Sequence, residues 1–155
     1  MSIIEHLSRQ PGVVGCANLG GGAYRIDLED GTSRHATADE IKSATAADVV
    51  GRIKVDRDRR RVAGCPVGAH IFHSDDSSRI QQIGLVMLGA NIPAGLKWKA
   101  LGGTLVDMTP TLAGQIFGAQ AARDAALFAH AEGLIAAVQA AADPASIDIT
   151  AGWPA

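Results

Sequence analysis

Between Thr109 and the Asp143-Pro144 pair the chain runs for about 32 residues without a strong helix breaker, roughly 48 Å of α-helix at 1.5 Å per residue. No other feature constrains the fold as much. Thr109 is a suitable N-cap and Pro110 suits the first helical position. Gly114, Gly118 and Gly133 weaken the helix without ending it. Leu127, Ala131, Leu134 and Val138 recur at spacings of 4, 3 and 4, with Ile116 in phase. So narrow an apolar stripe is like the seam of a coiled coil. A helix at about 110–142 is expected, associating with copies of itself through those five residues.

The segments before it are shorter. Ser2 caps a short helix over about 2–10, which Pro11-Gly12 stops. Tyr24, Ile26 and Leu28 alternate with Arg25 and Asp27, the period of a half-buried strand. Asp30-Gly31 is a tight-turn pair, so residues 13–36 read as a β-hairpin or small meander. Thr37 and Glu40 form a capping box that opens a helix over about 38–62, with Ile41, Val49, Val50 and Ile53 on one side. Ser43–Thr45 are weak helix formers and mark a point where it would break. Residues 64–73 suggest two short strands around a glycine turn. The Ser74–Ser78 cluster starts a helix at about 77–89, which holds Ile80, Ile83, Val86, Met87 and Leu88. Residues 96–108 suggest a second hairpin around Gly102-Gly103. The expected class is α+β, with an N-terminal β module at 1–36 and an α+β domain at 37–155.

Hydrophobic residues are 47% of the chain, charged residues 19% and aromatics only 4%, so the core must be built from aliphatic side chains. The net charge of −2 gives no basic field for a nucleic-acid backbone. No apolar run reaches the ~20 residues of a membrane span, and the N-terminus does not read as a signal peptide, so folding in a cytoplasm is expected. Cys16 and Cys65 cannot make a disulfide framework and are expected as small reduced side chains.

Residue patterns for chemistry are weak. His70 and His73 fall on opposite faces of a strand, so one chain cannot chelate a metal with both, although a symmetry axis could gather either from several subunits. His6, His35 and His130 have no Cys or carboxylate at ligand spacing. Asp75-Asp76 precedes a helix, where negative charge suits the dipole better than acid–base work. Gly20-Gly21-Gly22 precedes a strand, unlike a phosphate loop. In Asp56–Arg61, Asp56 is placed to pair with Arg59 or Arg60 and Asp58 with Arg61, which makes a solvated or bridging helix face. No catalytic residue, cofactor or metal follows, and no enzyme is expected.

One ordered series stands out. Ile53-Lys54-x-x-Arg57-Asp58-Arg59-Arg60 is followed by Gly64-Cys65-Pro66-Val67 and by Phe72-His73-Ser74-Asp75-x-x-Ser78. Lys97-Trp98-Lys99 leads to Gly103–Thr109, and the series ends on Ile147-Asp148-Ile149-x-x-Gly152-Trp153-Pro154. Over about residues 48–154 this resembles a domain of unknown function found at the C-terminus of many phage and prophage proteins encoded among tail and tail-fibre genes. The family's Trp-Lys-Thr-x-Asp-Gly turn is replaced by Trp98-Lys99-Ala100-Leu101-Gly102-Gly103, which loses the acidic turn residue. The resemblance implies a structural component of a bacteriophage tail, at the baseplate or fibre attachment, or alternatively a fibre assembly chaperone absent from the virion. A small tail enzyme would instead need a cleft with carboxylates about 5–9.5 Å apart. The implied partners are copies of the chain, with a trimer favoured, and other tail proteins, without nucleic acid, membrane or small-molecule substrate. Trp98 and Trp153 join Ile116, Leu127, Ala131, Leu134 and Val138 as the expected contact surface. The expected location is the virion tail, after assembly in the host cytoplasm.

Overall fold

The computed structural model describes residues 2–154. The fold is α+β, with an N-terminal meander, two small hairpins and a long C-terminal helix. The chain divides into two compact units, one containing the segment up to Val55 with Glu132–Ala151, the other Asp56–Ala131 with the residues from Gly152 onward.

In the first unit α1 (Ile3–Ser8) starts where Ser2 Oγ accepts the Glu5 N–H at 3.2 Å. Strands β1 (Val13–Gly20), β2 (Ala23–Leu28) and β3 (Ser33–His35) form an antiparallel meander in sequence order. The alternation in β2 buries Tyr24 and Ile26 against Leu7 of α1 and Ala44 of the next helix, with Leu28 half-buried beside them. Asp30 Oδ1 accepts the Thr32 N–H at 2.9 Å, and Gly31 takes a φ of 81°, which closes the expected turn. Helix α2 (Ala38–Arg61) opens with the Thr37–Glu40 capping box. The Thr37 N–H donates to Glu40 Oε2 at 2.8 Å, and the Glu40 N–H donates to Thr37 Oγ1 at 3.2 Å. The helix does not break at Ser43–Thr45 but runs on to Arg61, with Thr45 Oγ1 donating back to the Ile41 carbonyl at 2.8 Å. Val49 and Ile53 are buried, as are Ile135, Val138 and Ile149 at the other end of the chain.

The second unit begins with the last turns of α2. Strands β4 (Cys65–Val67) and β5 (His70–Phe72) make one hairpin, and β6 (Lys97–Lys99) and β7 (Leu105–Asp107) make the other. Between the hairpins runs α3 (Asp76–Leu88), ended by Gly89. Despite its lost acidic residue, the second turn closes through Ala100 N–H to the Thr104 carbonyl at 2.8 Å, with Gly103 at a φ of 89°. Helix α4 (Pro110–Ala140) starts at Thr109, whose Oγ1 accepts the Leu112 N–H at 3.1 Å. Phe72, Leu85, Met108, Ala113 and Ile116 form the core of this unit, with Trp98 packed against it. Gly64, at a φ of 113°, has no room for a side chain, since a Cβ there would lie 2.6 Å from Ile71 Cγ2.

The seam expected on α4 is not a free face. Ile116, Leu127, Ala131 and Val138 all have 0% exposure within the single chain, and Leu134 is half-buried. The periodicity therefore marks an internal face. A narrow apolar stripe carries no record of whether its partner is another copy or the same chain.

Candidate functional site

Ser74, Gln82 and Gln120 are buried polar residues, and the geometry of the second unit centres on them. Helix α2 ends with carbonyls that have no helical partner. Ser74 Oγ donates to the Arg61 carbonyl at 2.8 Å and accepts the Gly64 N–H at 2.9 Å, so one hydroxyl closes the helix end. Arg79 Nε donates to the Ser74 carbonyl at 2.6 Å, and its two terminal nitrogens grip Asp124 of α4 at 2.6 and 3.0 Å. Arg123 donates to the Arg60 carbonyl at 2.8 Å. The His73 carbonyl accepts from Gln82 at 2.9 Å and from Gln120 at 3.1 Å, and Gln120 also donates to Gln82 Oε1 at 2.7 Å. Among the described residues no buried side-chain polar atom is left without a partner. A fully satisfied network of this kind fixes one arrangement of α2, α3 and α4 within the unit.

The Phe72–Ser78 motif is thus largely architectural. Asp75 caps α3, accepting the Ser78 N–H at 3.0 Å and both the Ser77 and Ser78 hydroxyls. These donors, the Ser77 hydroxyl first, hold its carboxyl well below the usual range, so it is a fixed acceptor and not a proton donor near neutral pH. Asp76 pairs with Arg61 at 3.0 Å. Within the charge run, Asp56 pairs with both Arg59 and Arg60, as the spacing predicts. Asp58 bonds Arg57 at 2.8 Å, whereas Arg61 bonds Asp76 and acts on the Asp58 carboxyl only through space.

The end of the chain is held within the same unit. The Trp153 ring meets His130 edge-on at 4.7 Å and lies 5.1 Å from the Arg60 guanidinium. Gly152 has a φ of 78°, and a Cβ on it would come within 3.0 Å of the His130 ring. Trp153, expected on a contact surface, therefore packs on its own chain. Trp98 also packs on the core, but it still borders a cleft.

That cleft measures about 830 Å³. One wall is α3, through Gln81, Gly84, Leu85 and Leu88, and the other is the segment Leu96–Lys99. On the outer side of α3, Ile80, Ile83 and Met87 follow helical spacing and are exposed, Ile80 by 70% and Met87 by 82%. The inner side of α3 carries only Gln82 and Leu85 as buried residues. Sequence reasoning missed this inversion, since apolar content cannot say which side of a helix faces inward. A Gln inside an apolar helix was the available signal.

No group of three or more His, Cys, Asp and Glu side chains among the described residues is arranged to hold a metal. His70 lies on β5 and His73 just past its end, where it contributes its carbonyl to the polar network. Both cysteines are free thiols, and burial is the main cause that pushes each pKa up, away from the nucleophilic thiolate. No described helix is long and apolar enough to cross a membrane.

Neither a curated protein nor a solved structure matches the chain. A family described as a domain of unknown function, DUF4376, matches residues 40–151 and so takes in the motifs from Ile53 to Ile149. The chain belongs to the DUF4376 family.

Proposed function

We propose that the protein is a structural component of a bacteriophage tail, acting by protein–protein assembly at the baseplate or fibre attachment and not by catalysis. The outward face of α3 carries this reading. Ile80, Ile83 and Met87 form an exposed apolar stripe on a helix whose inner side is tied by the polar network. Contiguous apolar surface of this kind on a rigid support marks an assembly face. The tail setting comes from the resemblance of the ordered motifs from Ile53 to Pro154.

Two measurements test it. Mass spectrometry of purified particles is expected to find the protein in fixed proportion to a tail subunit. Its absence there, with capture on free fibre protein, would replace the reading by that of an escort. The double variant Ile80→Asp, Met87→Asp breaks the stripe at its two most exposed positions without touching the polar network and is expected to fold normally yet fail to enter particles. Normal incorporation of that variant would refute the role given to α3.

A further inference from the structure

The cleft between α3 and β6 has an open strand edge on one wall. Among the described residues β6 pairs with β7 alone, so its other side is unpaired there. The Met108 N–H bonds the Leu96 carbonyl, and the Ala100 N–H bonds the Thr104 carbonyl. With the register Lys97↔Asp107, Trp98↔Val106 and Lys99↔Leu105, the alternation of an antiparallel ladder assigns residues 96, 98 and 100 to the bonded pairs. The backbone N–H and C=O groups of Lys97 and Lys99 therefore point away from β7. The same segment lines the cleft opposite α3.

The remaining surfaces fit one type of occupant. The floor is apolar, with Leu85, Leu88 and Trp98. Its charged side chains are Lys97, which is paired with Asp107 across the hairpin at 2.5 Å, and the exposed Lys99. Gly84 faces it without a side chain, and a Cβ there would meet nothing within 4 Å. Such a groove accepts a strand that pairs with β6 while its side chains alternate between the apolar floor and the Lys99 side.

We propose that this cleft is a strand-addition site that takes an extended peptide segment of a partner protein, with an acidic residue beside Lys99 and apolar residues over Leu85, Leu88 and Trp98. The pairing is antiparallel or parallel to β6 through the amides and carbonyls of Lys97 and Lys99. The site requires no tail setting, so its test is independent of particle composition.

The test uses a ribosome-display library of random seven-residue peptides selected on the full chain and, in parallel, on Gly84→Leu. The variant fills the groove from α3, and a leucine suits a helix better than glycine, so it is expected to fold at least as stably. The full chain is expected to enrich sequences with alternating apolar residues and an acidic residue between them. Their affinity for Gly84→Leu should be about tenfold weaker or more, a loss equivalent to about 1.4 kcal/mol. An enriched peptide should slow hydrogen exchange at the Lys97 and Lys99 amides, and N-methylation of alternate peptide amides should abolish binding. No enrichment on the full chain, equal affinity for Gly84→Leu, or binding without protection of those two amides would each overturn the proposal.

Discussion

Replacing Ser74 by Ala removes a single oxygen and should be among the most damaging small changes in the second unit. The side chain has 1% exposure, so water cannot take over its role. Two backbone groups depend on it, the Gly64 N–H at 2.9 Å and the Arg61 carbonyl at 2.8 Å. The N–H is left without a partner, at about 1–3 kcal/mol. The carbonyl keeps a longer bond from Arg79 at 3.3 Å, so its loss is smaller, about 0.5 kcal/mol. The sum is about 1.5–3.5 kcal/mol, or a fall in Tm of roughly 3–14 °C for a chain of this size. Urea unfolding followed by tryptophan fluorescence reads this directly, because Trp98 and Trp153 both lie in the unit concerned. Ser77→Ala is the control, since its exposed hydroxyl bonds only the capping Asp75. A Ser74→Ala midpoint within about 0.5 kcal/mol of wild type, or no lower than that of Ser77→Ala, would refute the claim that this hydroxyl closes α2.

Gly64→Ala combines a positive φ with contacts of 2.6 Å to Ile71 and 3.0 Å to Leu101, and should cost about 2–5 kcal/mol in the same assay. Leu127→Ala should cost about 2–5 kcal/mol by opening a cavity. Because that residue is buried within one chain, the loss should not vary with protein concentration; a concentration-dependent loss in urea titrations would restore the intermolecular seam. Glu40 is held at about 2, below its usual 4.5, first by its bond to Arg34 and then by the Thr37 N–H. A depressed carboxylate stabilises the fold above its unfolded pKa, and the benefit is lost as pH falls from about 4.5 toward 2. Glu40→Gln should flatten that part of the stability–pH curve, by about 1 kcal/mol after allowance for the solvent around the pair. An unchanged slope in acid urea titrations would show that the ion pair does not form.

Where a local rule decides the outcome, residues and structure agree. The Thr37–Glu40 box, the Asp30-Gly31 turn, Thr109-Pro110 at the head of α4 and the Asp56 pairs each depend on neighbours within about one helical turn or one hairpin. The long-range choices were not readable. The spacing of Ile116, Leu127, Ala131 and Val138 correctly names a buried face, but not that the chain buries it itself. Arg79 meets Asp124 across 45 positions and Gln82 meets Gln120 across 38, distances over which no periodicity connects two side chains. The direction of α3 followed from those bonds. Once Gln82 and Arg79 are committed inward, Ile80 and Met87 are turned outward whatever their hydropathy.

The chain passes between its two units three times, at Val55–Asp56, at Ala131–Glu132 and at Ala151–Gly152. No single cut at a linker can therefore release either unit as a continuous fragment. A gene that acquired only one unit would need to splice three separate exchanges at once. Residues 40–151, the stretch matched by the family, cross two of those points and touch the third. A deletion series should therefore show no product in which either unit folds from one continuous stretch of the chain.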